Sequence, residues 1–311
     1  MCDDGPVSTL LAFDTPYVYF RSFFGVPDRF KAPDGTPVNA VRGTLDAIAR
    51  LAEQYRPTHV ACAWDDDWRP GWRVELVPSY KSHRVAKVGP GGEPEEEVPD
   101  ALSRQVPIIR ECLEVLGIAP IGMANHEADD VLGSLATSFS GQALVVTGDR
   151  DLFQLADEST RVIYIGRGVA KHEVVDPAWL ESAYDMAPGR YVDFSVLRGD
   201  PSDGLPGVKG VGEKSAAQLV RDHASIDAML EAAADPSSGM AAGMRGKLMG
   251  AVDYLPAARR VVQVVTSLEV DSPTGLPAPV DVDRAGVLAQ QWNLGGSMDR
   301  IVAALSAGGM Q

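Results

Sequence analysis

The chain has 311 residues, 45% hydrophobic and 23% charged, a composition typical of a globular protein with one large domain or two moderate ones. Its three cysteines, Cys2, Cys62 and Cys112, share no metal-ligand spacing, so we expect reduced thiols in a cytosolic protein. The sequence shows no signal peptide and no apolar run long enough to cross a bilayer, so we expect no contact with a membrane.

The net charge of −15 argues against a nucleic-acid partner, because proteins that bind DNA usually carry a basic surface. Two effects weaken this argument. Acidic side chains that hold divalent cations count as negative in the formula but are neutralised once the cations bind. The net charge also does not show whether the basic residues cluster on one face.

Short apolar runs alternate with helical patterns along the first half of the chain. The apolar runs predict buried strands at residues 9–13, 59–64, 143–147 and 161–165. Apolar residues at helical spacing predict helices at residues 39–55, 101–116, 126–139, 177–184, 188–197, 224–233, 244–266 and 284–305. Asn125 is the expected N-cap of the third helix, and Pro107 must lie early in the second or kink it. Residues 85–99, rich in Gly, Pro and Glu, predict a mobile surface loop.

This alternation predicts an α/β fold with a mostly parallel central sheet flanked by helices over residues 1–185, followed by a helical region over residues 186–311. In an open parallel sheet the ligand crevice lies outside the carboxyl ends of the strands. Predicted strands end at Asp14, at Asp65 or Asp66, and at Asp149. We therefore expect these acids to converge on one edge of the sheet.

Three further acids, Glu127, Asp129 and Asp130, fall in the first turn of a predicted helix and can point at the same edge. Taken singly, each acid fits a turn residue or a partner of the helix dipole better than a ligand. Their number favours a site, because two carboxylates about 5 Å apart repel by about 3 kcal/mol at an effective dielectric constant of 20. An oxygen-only ligand set favours Mg²⁺ or Mn²⁺ over zinc, and two such ions form the clamp used in phosphodiester hydrolysis.

Residues 199–219 carry two acids, Asp200 and Asp203, followed by a glycine-spaced turn and a helical segment. The turn differs from a phosphate-binding P-loop, because Glu213 intrudes where the Gly-Lys-Ser/Thr end of that motif should begin and no strand precedes it. A helix–turn–helix with exposed amide groups fits better, and such a turn binds a nucleic-acid backbone without reading its sequence. The segment from Tyr80 to Arg84, YKSHR, could be a solvated basic patch or could bind phosphate near the metal ions.

Five segments in this order resemble the bacterial 5′-nuclease family, which includes flap endonucleases and the 5′–3′ exonuclease domain of DNA polymerase I. They are FDTPYVYFRSFFG, AWDDDWRPGWRVELVPSYKSHR, HEADDVLGSLA, VVTGDRDLFQL and GDPSDGLPGVKGVGEKSAAQL. The resemblance extends from about residue 9 to about residue 270, and it is to the free-standing form of the family. It implies a PIN-like nuclease core and a helix–hairpin–helix element at about residues 199–221.

The resemblance also implies roles for particular residues. The implied metal ligands are Asp14, Asp65 or Asp66, Glu127, Asp129, Asp130, Asp149, Asp151, Asp200 and Asp203. The implied catalytic contacts are Lys81 and Arg84 on the scissile phosphate and Tyr80 near the end of the flipped strand. The implied DNA-binding residues are Arg73, Gly207, Val208, Gly210, Gly212 and Lys214, with K⁺ as a candidate ligand of the turn. Residues 80–107 would form an arch for the 5′ single strand.

These observations predict a monomeric, metal-dependent 5′-nuclease of the bacterial cytoplasm and nucleoid. It would cut DNA at 5′ flaps and at 5′ ends next to duplex, in replication and repair. Two alternatives remain at this point: a nuclease of similar core that acts on RNA, and a non-catalytic DNA-binding relative. The choice between Asp65 and Asp66 also stays open, because counting from the strand favours Asp65 and counting back from Arg73 favours Asp66.

Overall fold

The computed structural model describes residues 8–88, 94–271, 273, 275 and 280–308. The strands in these ranges are β1 (Thr9–Asp14), β2 (His59–Ala63), β3 (Val85–Val88), β4 (Pro94–Glu96), β5 (Pro120–Ile121), β6 (Gln142–Thr147), β7 (Thr160–Tyr164) and β8 (Glu173–Val175). Six of them form the central sheet, in the order β5-β2-β1-β6-β7-β8. Only β8 runs antiparallel to its neighbour, so the predicted mostly parallel sheet is confirmed.

The helices of the described ranges flank this sheet. They are α1 (Thr15–Gly25), α2 (Asn39–Tyr55), α3 (Gly71–Leu76), α4 (Asp100–Ser103), α5 (Val106–Val115), α6 (Ala128–Ser138), α7 (Pro177–Tyr184), α8 (Tyr191–Arg198), α9 (Glu213–Asp222), α10 (Ile226–Ala234), α11 (Ala242–Met249), α12 (Tyr254–Val262), α13 (Val282–Gln291) and α14 (Gly296–Gly308). None is both long and apolar enough to cross a bilayer.

Apolar periodicity located the helices better than it located their breaks. The helix predicted at residues 39–55 has those bounds as α2, but each of three longer predictions is divided into two helices: α4 and α5, α11 and α12, α13 and α14. Pro107 lies in the first turn of α5, where its missing amide hydrogen removes no helical bond. Asn125 is not a helix cap: it has a positive φ of 62°, and Glu127 precedes the first turn of α6.

The segment predicted as a mobile loop at residues 85–99 is partly a β-hairpin. β3 and β4 pair antiparallel, and the amide of Glu97 donates to the carbonyl of Arg84 at 2.7 Å. Residues 89–93 of that loop, and of the predicted arch, lie outside the described residues. The pairing is irregular, with a register shift between Val85 and Lys87, and the Gly- and Pro-rich composition gave no sign of it.

Alternate residues of β1 face two different cores, as expected for a central strand. Leu10 and Ala12 join the core formed with α6 and with the helices from α7 to α12. Leu11 and Phe13 join the core formed with α2, α5, α13 and α14. The last two helices therefore pack against the first half of the chain, and the domain boundary at residue 185 stays a prediction.

Gln105, just before α5, caps the start of α2, which has no side-chain cap of its own. Its side chain is fully buried, and its Oε1 accepts from the amide of Ala40 at 2.8 Å in the first turn of α2. Its Nε2 donates to Asn39 Oδ1 at 3.0 Å, and the amide nitrogen of Asn39 donates to the carbonyl of Phe23 at 2.7 Å. Val38, which precedes α2, offers no side-chain cap.

We expect Gln105→Met to lower the free energy of unfolding by about 1–3 kcal/mol, because it leaves the buried amide of Ala40 and the Oδ1 of Asn39 without partners. Urea unfolding followed by circular dichroism measures the change. Gln290→Met on α13 is the matched control, since Gln290 is exposed. Equal unfolding midpoints for the two variants would contradict the capping role of Gln105.

Candidate active site

The carboxyl ends of the neighbouring strands β1, β2 and β6 open on a cavity of about 990 Å³. Seven of the ten acids predicted as metal ligands line it: Asp14, Asp65, Glu127, Asp129, Asp149, Asp200 and Asp203. An eighth, Asp151, lies in a small adjoining pocket that Asp129 and Asp203 also line. The fold thus brings together acids from residues 14 to 203.

Backbone and hydroxyl groups hold the acids at the strand ends in fixed orientations. Asp14 caps α1 by accepting from the amide of Tyr17 at 3.1 Å, and its other oxygen accepts from the hydroxyl of Thr147 at 2.7 Å. The same hydroxyl accepts from the amide of Asp149 at 3.0 Å. Thr147 therefore joins the ends of two adjacent strands.

The acids on the other elements are held in the same way. Asp65 accepts from the amide of Ala128 at the start of α6, at 2.7 Å. Asp151 accepts from the hydroxyl of Ser195 on α8, at 2.5 Å. These bonds connect the sheet to the helices on both sides of the cavity.

Burial and mutual repulsion make ionisation of these acids costly. Burial raises the pKa of Asp65 to about 7, and the charge of Glu127 adds to the effect. Burial also raises the pKa of Asp151 to about 7, with Asp203 contributing. The pKa of Asp149 is held well above its usual range, first by burial and then by repulsion from Asp151. The cavity therefore has a strong electrostatic demand for cations.

Two basic side chains of the protein neutralise part of the negative charge in the cavity. The ammonium group of Lys81 donates to Glu127, and Arg84 pairs with Asp203 at 2.8 Å. The backbone fixes this arrangement, because Lys81 has a positive φ of 46° and its amide donates to the carbonyl of Asp203 at 2.9 Å. Lys81 and Arg84 thus lie beside the acids, as their position in the sequence predicted.

The structure corrects the predicted DNA contact at Arg73. This residue is 2% exposed, and its guanidinium forms a bidentate pair with Asp130 at 2.7 and 2.9 Å. Its Nε donates to the carbonyl of Val261 at 3.1 Å. Arg73 is therefore an internal ion-pair partner, with no surface through which it could reach a DNA backbone.

Asp130 and Asp66, two of the predicted ligands, do not line the cavity. Asp130 is fully buried; although burial opposes it, the guanidinium of Arg73 holds the pKa of Asp130 below its usual range. Asp130 also accepts from the amide of Val265 at 2.8 Å. Asp66 is exposed and points at Gly122, where an added Cβ would lie 2.3 Å from its Oδ1. Of the two adjacent aspartates, only Asp65 faces the cavity.

Tyr80 is also buried, and in this conformation it offers no ring for stacking. Its hydroxyl donates to Glu127 at 2.8 Å, beside Lys81. Glu127 consequently receives hydrogen bonds from Tyr80, Lys81 and, at 3.4 Å, Arg73. Tyr80 acts here by orienting a carboxylate.

The glycine turn forms a connection between α8 and α9, with a buried and an exposed side. Gly207 has a φ of 65°, and a Cβ there would lie 2.6 Å from the carbonyl of Arg198, so only glycine fits. Val208 is 3% exposed and packs beneath the turn, so its side chain is not available to DNA. Gly210, Gly212 and Lys214 are exposed. The carbonyl of Gly210 accepts from Lys247 Nζ at 2.7 Å.

The donor set of the cavity suits cations that keep part of their water shell. Among the described residues, no three His, Cys, Asp or Glu side chains converge as a ready-made ligand group. Mg²⁺ characteristically uses one or two carboxylates, water and substrate phosphate oxygens, whereas a zinc site needs a closer protein shell. The cavity residues therefore fit hard divalent ions.

The sequence did not indicate four residues that line the cavity or hydrogen-bond to its acids. Thr147 and Arg150 lie within VVTGDRD, so their place beside Asp149 was a usable signal. Ser195 lies 44 positions from Asp151, which it contacts, and nothing local marks it. Arg198 ends α8 on the cavity wall, directly before the Gly199 turn.

We expect Arg73→Met to lower the free energy of unfolding by about 3–5 kcal/mol, because it leaves the buried charge of Asp130 without a partner. Thermal unfolding of the purified variant measures this, and Arg73→Lys should lose less because it keeps one charge. Arg104→Met, at an exposed residue, is the control. Melting temperatures equal to the control would show that the pair carries no such stability.

Two family models match adjacent parts of the chain. The model of the 5'-3' exonuclease N-terminal resolvase-like domain matches residues 9–185, and that of the 5'-3' exonuclease C-terminal SAM fold matches residues 186–278. The 5'-3' exonuclease of Streptomyces coelicolor is 48% identical over 301 residues, covering 96% of this chain and 100% of that protein.

Solved structures share the fold at low sequence identity. The bacteriophage T5 5'-exonuclease with bound zinc is 15% identical, with a TM-score of 0.63 over 96% of this chain and 98% of that one. The catalytic core of Rad2 in complex with a DNA substrate is 15% identical, with a TM-score of 0.62 over 96% and 93%. The matched models and the full-length relative decide the assignment. The chain belongs to the 5'-3' exonuclease family, as the motifs in its sequence predicted.

Proposed function

We propose that this chain hydrolyses phosphodiester bonds of DNA at 5′ flaps and at 5′ ends next to duplex, using Mg²⁺ or Mn²⁺. One observation carries the proposal: seven of the acids predicted as metal ligands line a single cavity, with Lys81 and Arg84 among them. A site that gathers both signs of charge suits a phosphate that enters together with cations. The bacterial relative and the 5'-3' exonuclease models support this chemistry.

In this proposal the ligands of the divalent ions are the acids that face the cavity, without Asp66 and Asp130. When bound, the ions would lower the pKa of water and stabilise charge on the attacking and leaving oxygens. The T5 5'-exonuclease with divalent ions has the same fold, which agrees with this use of the cavity. Thr147 and Ser195 would keep Asp14 and Asp151 oriented when the charge around them changes.

Lys81 and Arg84 would bind the phosphate at the bond to be cut. Both now pair with acids of the cavity, Glu127 and Asp203. An entering phosphate competes for the two basic groups, and the released carboxylates become available to the cations. Donors already held in position at developing negative charge are an effective source of catalysis.

The turn between α8 and α9 would hold duplex DNA through its exposed side. Gly210 and Gly212 allow close approach of a backbone, and Lys214 supplies a positive charge at the start of α9. Contacts of this kind carry no base preference, which suits an enzyme that recognises structure. Rad2, which shares the fold, is known in complex with a DNA substrate. Binding of K⁺ at the turn and a monomeric, cytoplasmic enzyme remain predictions.

Incubation of the purified chain with a labelled 5′-flap duplex tests the proposed activity. We expect cleavage near the flap junction with Mg²⁺ or Mn²⁺ and none with EDTA. Asp149→Asn should lower the rate by at least about 100-fold, because changes even outside the ligand shell of metal sites cost 10- to 100-fold. An RNA strand of the same sequence should be a poor substrate.

The absence of a metal-dependent product would overturn the proposed function. Efficient cleavage of the RNA strand alone would favour the RNA-directed alternative. Full activity of Asp149→Asn would leave a nuclease whose ligands lie elsewhere.

The two adjacent aspartates provide a matched pair for the metal site. We expect Mn²⁺ to raise the melting temperature of the wild-type chain, because cations relieve the repulsion among buried carboxylates. Asp65→Asn should reduce this gain and weaken Mn²⁺ binding in calorimetry, while Asp66→Asn should behave as the wild type. The opposite pattern would assign the ligand to Asp66.

A further inference from the structure

Two arginines on the cavity wall, Arg150 and Arg198, have no part in the function described so far. Arg150 lies between Asp149 and Asp151 in the chain, yet its side chain turns outward, and its Nε donates to the hydroxyl of Tyr164 at 3.4 Å. Arg198 is the last residue of α8, and its guanidinium stacks 5.2 Å from the ring centre of Phe194. Aromatic rings thus hold both side chains in place.

These arginines differ from Lys81 and Arg84 in their partners. Throughout the described ranges, Arg150 has no carboxylate within ion-pairing distance. Arg198 has one loose carboxylate partner, Asp200, at 3.9 Å, and its Nε donates to the carbonyl of Gly199 at 3.2 Å. A guanidinium beside a carboxylate-rich cavity that forms no close ion pair is free to bind an anion bidentately.

Arg150 and Arg198 lie on the same wall. Burial raises the pKa of Tyr184, and both guanidinium groups lie near enough to oppose that effect. Both residues also line the cavity, together with Tyr164.

This wall borders the glycine turn. A Cβ on Gly199 would lie 2.6 Å from the amide nitrogen of Gly207, and a Cβ on Gly207 would lie 2.6 Å from the carbonyl of Arg198. The turn proposed to hold duplex DNA therefore packs directly on the residue that carries this guanidinium. Arg198 therefore lies where the turn meets the cavity.

We propose that Arg150 and Arg198 bind consecutive phosphates of the cleaved strand on the duplex side of the bond that is cut. The inference rests on the proposed nuclease function and adds a second phosphate-binding wall to it. Lys81 and Arg84 hold the phosphate that reacts. Arg150 and Arg198 contribute to the binding of the duplex beside it.

The test compares Arg150→Gln, Arg198→Gln and the double variant with the wild type on a 5′-flap duplex with Mg²⁺. Each substitution should lower kcat/KM on the order of tenfold, the worth of one hydrogen bond to a charged group. The slope of log kcat/KM against log salt should fall by about 1 for each phosphate that the variant no longer binds. The single-turnover rate at saturating enzyme should change little, and lysine at either position should restore part of the loss.

Neutral phosphates in the substrate locate the contact. We expect methylphosphonates at the first two positions on the duplex side to lower kcat/KM of the wild type and to add little to the double variant. If the methylphosphonates on the duplex side lowered kcat/KM of the double variant as much as that of the wild type, the proposed contact would be wrong. It would also be wrong if only methylphosphonates on the flap side lost their effect in the double variant.

Arg167→Gln is the matched control, because Arg167 is exposed, pairs with Glu173 at 3.0 Å and does not line the cavity. Equal melting temperatures of the variants show that the fold is intact. Variants at positions 150 and 198 that match Arg167→Gln in kcat/KM and salt slope would overturn the inference while leaving the nuclease function standing. A wild-type chain that shows no metal-dependent cleavage would overturn the proposed function itself.

Discussion

Repulsion among buried carboxylates is the constraint on which the arrangement of this chain depends. The fold takes acids from the ends of adjacent strands and from residues near 127 and 200 into one cavity, where burial raises the pKa of Asp14, Asp65, Asp129 and Asp149. The chain offsets part of this with its own cations, Lys81 on Glu127 and Arg84 on Asp203, and Arg73 pairs with the buried Asp130 behind the cavity. All three basic side chains lie on the segment from the start of α3 to the start of β3.

The same constraint accounts for part of the net charge of −15 in a chain of a nuclease family. The cavity lining holds nine acids against four Lys and Arg residues, an excess of five negative charges that divalent cations would neutralise. The four basic residues are Lys81, Arg84, Arg150 and Arg198, and Lys214 lies exposed on the glycine turn beyond the cavity. Net charge is a property of the whole chain, whereas a DNA strand contacts only one face of it.

The strand ends were predictable because they depend on the pattern of apolar and polar residues within a short stretch of sequence. An apolar run that stops at or just before an aspartate, as at Asp14 and Asp149, indicates both a buried strand and an acid at its end. Partners distant in the chain were not predictable. Arg73 resembles a basic surface residue beside Trp72, and only its bidentate pair with Asp130 shows that it is internal. Val208 is a similar case, since a valine between glycines in a turn shows no local sign that it is buried.

The sequence by itself determined the family, the mostly parallel sheet and the set of acids. The order of the motifs, the apolar periodicity and the acids after the strands can all be read from local stretches of sequence. Only the tertiary structure decided which member of that set faces the cavity. Asp65 and Asp66 are adjacent in the chain and chemically identical, but the backbone bends at Asp66, just after β2, and the two side chains point to different places. One therefore faces the other acids and its neighbour faces Gly122, a difference that depends on what the fold places on each side of the backbone.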